Sequence, residues 1–440
     1  MANDKDFVVN GPVVVGKDTK VTVGTVTSGA VDLSTGNYFV DSPSGDYTYS
    51  FTNPGGVQAF QIEATGGSDA VDSTFSTTLY AGNSGTQTIT NGLDLSTDGG
   101  LVWLKCRNQG SQGHFLMDSA RNSFGNRISS HDTSAQATDG LITSVSTGGF
   151  TLGNKSYSNN TGDTYVSWSF KKQAKFFDVV TYTGTAAVQN IAHNLGSVPG
   201  MIIVKRLDSA SFNWNIYHRN SNATPEDYSL EFNTGAAQLN TNAWGSTAPT
   251  STHFTVGASG DSNGSGAPLV AYLFAHDTAS DGLIQCGSLT DGGAGINLGW
   301  KPQFVLIKRT DTDSANPSSG SRASKGNWII ADTKRGMPVD DQVDGLSPNL
   351  ADAEIHDDFY IRPTSTGFTY DSLSYDGNGD FIYMAIRSPS ALAITWPTSI
   401  EWTQGATPST PAEGATDVYT FTTDDGGTTY TGIQSIDTAS

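Results

Sequence analysis

The stretch "IAHNLGSVPGMIIVKRLD", residues 191–208, reads as a turn followed by a strand, and it returns later in the chain as "INLGWKPQFVLIKRTD", residues 296–311. Asn-Leu-Gly, a Pro and a Lys-Arg pair recur at matching offsets. Working outward, "YAGNSGTQTI" (80–89) matches "YTGTAAVQNI" (182–191), and "CGSLTDGGAGI" (286–296) is a degenerate third copy. Each turn leads into an apolar run with a lysine near its end: "LVWLKCR" (101–107), "MIIVKR" (201–206) and "FVLIKR" (304–309). Runs this apolar predict strands covered on both faces.

Three further signatures repeat in the same order. The first is an aromatic-led strand with a basic residue beyond it: "FLMDSAR" (115–121), "WNIYHR" (214–219) and "WIIADTKR" (328–335). The second is "GFTLG" (149–153), "HFTVG" (253–257) and "GFTYD" (367–371), and the third is "TYVSWSF" (164–170), "LVAYLF" (269–274) and "FIYMAIR" (381–387). The period is too long for a solenoid unit of about 20–50 residues. The spacing therefore predicts three β repeats, at 67–176, 177–281 and 282–389, each with enough strands for a sandwich of the jelly-roll or lectin kind. A single body whose copies share one core is the alternative packing.

The chain ends read as halves of one further domain. Residues 34–66 form a strand-turn-strand piece, and residues 390–435 continue it, so 31–66 plus 390–436 is expected to be a small β-domain into which the repeats are inserted. Residues 1–30 precede both. The 440 residues include 50 Gly and only 15% charged side chains, a composition suited to short strands and many turns, so the fold class is all-β.

Charge and cysteine usage narrow the function classes. With 23 basic against 43 acidic side chains, the net charge of −20 opposes phosphate backbones, and no nucleic-acid partner is expected. The N-terminus lacks a signal-peptide pattern, and no run approaches the ~18 apolar residues of a membrane span, so neither export nor membrane insertion is expected. Two cysteines, Cys106 and Cys286, are too few for a disulfide framework.

Candidate sites are sparse. The seven His show no zinc-ligand spacing, so no metal or other cofactor is expected. "DGNGD" offers Asp376, Asn378 and Asp380 as weak Ca²⁺ candidates, against the simpler reading of a hairpin turn. No nucleophile elbow, Walker loop or dinucleotide fingerprint is present, no carboxylate pair stands out, and the chain is not expected to be an enzyme. Trp103, Trp168, Trp214 and Trp328 fall in repeat strands and belong to the core. Trp244 instead lies in the polar stretch "QLNTNAWGSTAPTSTHF" (238–254), which makes Trp244 with Asn242 the expected exposed site for stacking on a sugar.

"TLYAGNSGTQTITNGLDLSTDGGLVWLK", "GFTLGN", "NTGDTYVSWSFKK" and "DVYTFTTDDGGTTYTGIQS" resemble segments of marine bacteriophage tail-fibre and related virion-appendage proteins, particularly those of cyanophages. "KDFVVNGPVVVGKDTKVTVG" (5–24) is similar to the virion-proximal start of such fibres. The resemblance implies a virion component made in the host cytoplasm. It implies docking to other tail proteins through residues 1–30, and adhesion to a host surface glycan or outer-membrane component through loops. A purely structural decoration or connector is the alternative, and a glycan-degrading spike a weaker one. Such fibres are usually homotrimers, a state in which the Val-rich segment up to Leu33 would bury its side chains against two copies of itself.

Overall fold

A computed structural model of the chain describes residues 23–437, apart from 25, 28, 42–46, 54–58, 66–69, 312–325, 338–342, 358–359, 372, 374–378, 390–393, 404 and 409–415. The chain divides into two compact units: residues 70–389, and the two chain ends together.

The larger unit is built from three antiparallel sheets with one strand order. In the first copy the strands are β1 (Phe75–Ala81), β2 (Gly100–Cys106), β3 (His114–Asp118) and β4 (Thr164–Lys171), ordered β1-β4-β2-β3. The second copy has β5 (Phe177–Thr183), β6 (Pro199–Arg206), β7 (Asn215–His218) and β8 (Pro268–Ala275), ordered β5-β8-β6-β7. The third has β9 (Ile284–Thr290), β10 (Pro302–Arg309), β11 (Ile329–Asp332) and β12 (Asp380–Arg387), ordered β9-β12-β10-β11.

The central strands are buried on both faces and are apolar apart from a few buried polar residues such as the lysines near their ends. Along β2, Leu101 and Trp103 point into a core that also holds Ile203, Trp214 and Tyr272 of the second copy and Phe304, Leu306 and Trp328 of the third. Val102 and Leu104, on the opposite face, pack with Phe115, Phe150 and Leu152 under a small covering sheet. β10 alternates in the same way, with Val305 and Ile307 turned to an outer cluster containing Phe368 and Tyr383. Of the two packings open at the sequence level, the sheets therefore share one core, and the four repeat-strand tryptophans fill it.

The Gly-Phe-Thr signature marks a close backbone approach. A Cβ on Gly149 would lie 2.1 Å from the Ile89 carbonyl oxygen, and one on Gly367 would lie 1.8 Å from that of Ile296. The covering strands can pair tightly there only because no side chain intervenes.

In the unit of chain ends, Ala59–Thr65 pairs antiparallel with Thr416–Thr422, joining the two pieces in one sheet. Its core gathers Phe39, Phe60, Ile62, Trp396, Tyr419 and Phe421, and Gln61 donates to Thr420 Oγ1 at 3.0 Å. Val31 and Leu33 are buried in this same core. The end of the segment expected to face two further chains therefore packs against its own domain. Residues 1–22, the rest of the expected anchor, lie outside the described residues.

Candidate functional site

The junctions between the three copies are built from equivalent residues. Strand pairing places Asn215 opposite Val204, so that Trp214 and Lys205 each lie one residue beyond the last pair, while Lys105 pairs with His114 and Ile307 with Ile329. The lysine of each apolar strand is buried and divides its ammonium between backbone carbonyls of its own copy and of the copy before it in the ring. Lys205 Nζ donates to Thr133 O at 2.9 Å, Lys308 Nζ to Ala236 O at 2.8 Å, and Lys105 Nζ to Ala351 O at 3.2 Å. Burial pushes the Lys205 amine down to about 8.

The end of each third strand makes a second cyclic set. Asp118 accepts from Tyr272 OH at 2.7 Å, reaching from the first copy to the second. His218 Nε2 lies 3.0 Å from Tyr383 O, reaching from the second to the third. Asp332 accepts from Trp168 Nε1 at 2.9 Å, reaching from the third back to the first. Arg121 and Arg335, both buried, neutralise their aspartates at 2.6 and 2.7 Å. The second copy uses a neutral histidine instead: His218 Nδ1 accepts from Asn220 N–H at 3.2 Å, and burial pushes the ring down to about 3. Arg219, the basic residue read as the counterpart of Arg121 and Arg335, is exposed, and Ser221 occupies the place three residues past the strand end.

Above these contacts run backbone bonds from Gln136 N–H to Leu207 O, Gln238 N–H to Thr310 O and Glu354 N–H to Arg107 O. Two of these three places open into clefts. One, of about 380 Å³, lies between the first and second copies and is lined by Arg121, Gln136, Thr181, Thr183, Leu207 and Pro268 among others. The other, of about 530 Å³, lies between the second and third and is lined at the equivalent positions by Ser221, Gln238, Ser288, Thr290, Thr310 and Asp380. At the third junction Arg107 and Glu354 form an ion pair of 2.6 Å, and Arg335 joins Glu354 at 2.8 Å. The larger cleft lacks both arginines. Gln238 Oε1 consequently accepts no hydrogen bond from any described residue, whereas Gln136 Oε1 accepts from Arg121 at 3.0 Å.

The expected sugar-stacking site is overturned. Trp244 is 1% exposed and packs edge-on to Tyr217 with ring centroids 5.9 Å apart in the shared core. The indole is buried while Asn242 and Ser246 beside it in the chain are exposed, so its sequence neighbours misrepresent its environment. Asn242 is exposed but has no aromatic face beside it from Trp244. Asp376 and Asn378 lie outside the described residues, and Asp380 accepts from Thr290 Oγ1 at 2.9 Å on the rim of the larger cleft. Among the described residues no group of three His, Cys, Asp or Glu could hold a metal ion. Cys106 and Cys286 are buried thiols, and burial raises both pKa values. No helix among the described residues is long and apolar enough to cross a membrane.

The cleft residues escaped the sequence reading because they come from two copies and belong to no motif. The one available signal was the loss, at Ser221, of an arginine present in the other copies.

The chain belongs to the family described as Domain of unknown function (DUF7483), which it matches over residues 71–389. That span coincides with the larger unit. No curated protein matches the chain.

Proposed function

We propose that the chain is a structural component of a phage virion, a homotrimeric tail fibre that adheres to a host surface glycan or outer-membrane component. The observation that carries this reading is the build of residues 70–389. Three β sheets of one strand order share a core, and the body they form is inserted between two halves of a second β-unit. A rigid body whose junctions carry open polar clefts suits repeated, weak contact with an external surface. Docking to other tail proteins falls to residues 1–30, and the chain acts by binding, without catalysis or cofactor.

Fluorescently labelled full-length protein incubated with marine cyanobacterial cells tests the reading. Saturable binding to some strains supports adhesion. No binding to any strain, with the protein located in the capsid or tail tube by particle reconstruction, establishes the purely structural alternative. Release of reducing sugar from the cell surface establishes the glycan-degrading one.

A further inference from the structure

We propose that the cleft between the second and third copies is a binding site for a neutral saccharide of two or three units. This deepens the adhesive reading above, although the argument comes from the cleft's own chemistry.

Its volume of about 530 Å³ lies within the usual range for small-molecule sites, roughly 300–1,000 Å³, and far exceeds what one ion needs. The lining is hydroxyl, amide and carboxylate: Asn220, Ser221, Gln238, Thr310, Asp311 and Asp380 are all present. Sugar hydroxyls both donate and accept, so they match a mixture of amides and hydroxyls, and the carboxylates are strong acceptors for them. Among the described residues no lysine or arginine lines the cleft, and Arg309 is committed to Asp311 by bonds of 2.7 and 3.2 Å. Uronates, sialates and phosphates would therefore meet carboxylates with no compensating cation among the described lining residues.

The equivalent positions explain why this junction carries the larger cleft. Where the third copy meets the first, the counterparts of Thr310 and Gln238 are Arg107 and Glu354, and their ion pair spans the gap. Where the first meets the second, Arg121 lines the smaller cleft and satisfies Gln136. Of the two clefts, the larger has lost both arginines, and it leaves an amide oxygen, Gln238 Oε1, buried without a donor among the described residues. The one aromatic among the described lining residues, Phe381, is 1% exposed, so its ring is unavailable for stacking and these residues recognise by hydrogen bonds.

The test is saturation-transfer difference NMR on the full chain with lactose, cellobiose, maltotriose and chitobiose, and with glucuronate and sialyllactose as anionic comparators. At least one neutral sugar should show transfer. Asp380→Ala with Asn220→Ala should weaken it by about tenfold, the effect of losing one charge-assisted hydrogen bond. Thr310→Arg with Gln238→Glu rebuilds the ion pair of the closed junction and should abolish transfer while thermal melting stays cooperative. Absence of transfer from every neutral sugar overturns the proposal, as does transfer unchanged in both variants or stronger transfer from the anionic sugars. Host-cell binding that survives closure of the cleft leaves the adhesive reading standing and removes this site. Saccharide transfer without cell binding does the reverse.

Discussion

The Trp168 indole N–H and the Asp332 carboxylate are 2.9 Å apart although they belong to the first and last copies of the repeat. The contact closes a circuit, since Asp118 with Tyr272 and His218 with Tyr383 make the other two links. Arg335 lies over the Trp168 ring at 5.1 Å, so the same carboxylate, cation and indole form one buried group.

Asp118→Ala should destabilise residues 70–389 by about 3–5 kcal/mol, because Arg121 is left buried without its carboxylate. Urea denaturation followed by tryptophan fluorescence measures it. A loss below about 1 kcal/mol would show that the pair contributes no more than a surface ion pair.

Trp244→Ala should cost about 3–5 kcal/mol, the usual range for deleting a buried aromatic. Calorimetry of the full chain reads the change. Near-wild-type melting would place the indole at the surface, contrary to its packing on Tyr217.

Acid should weaken the larger unit through His218. Its ring is pushed from the ordinary 6.5 down to about 3, and that of His276 to about 4. Between those values the unfolded chain binds protons that the folded chain refuses. The stability is fully present above pH 6.5 and is lost as pH falls towards 3, by at most about 1.4 kcal/mol per pH unit for each ring. Urea midpoints across this range should fall with acid in the wild type and fall less steeply in His218→Asn. Equal slopes would remove His218 as the cause.

In the first copy, His114 sits where the other copies have Trp214 and Trp328, and Trp103 fills the space left by donating to His114 Nδ1 at 3.0 Å. His114→Trp alone should overpack and destabilise, and Trp103→Ile alone should leave a cavity. The double variant recreates the second copy's combination of Ile203 with Trp214 and should recover at least about 1 kcal/mol relative to the sum of the singles. Additive losses would mean that the two sites are independent.

Residues 70–389 expressed alone should unfold in one cooperative transition, and residues 70–281 should not fold, because they lack the partners of Trp168 and Lys105 from the third copy. A folded two-copy fragment would show that the copies are separable.

The strands were legible because continuous apolar runs such as 201–206 and 304–309 leave few alternatives, and because three imperfect copies reinforce one another. The pairing of the chain ends was legible from strand count alone. Trp244 was misread because exposure was inferred from polar sequence neighbours, whereas the indole is covered by Tyr217 and Ala243 in the folded core. The clefts were illegible for a different reason. Ser221 and Thr310 are ordinary residues, and what matters is that Ser221 replaces the arginine of both other copies and Thr310 that of the first, a relation that appears only once strand register fixes which positions correspond.

The circuit of buried lysines has a consequence for how such a gene can change. In an open stack, units can be gained or lost at the ends, since each touches only its neighbours. Here Lys105 of the first copy reaches Ala351 of the last, so a recombination that added a fourth copy, or removed one, would leave an ammonium buried opposite the wrong carbonyls. The closed ring therefore predicts a copy number held at three, with tolerated change confined to substitutions and loop lengths.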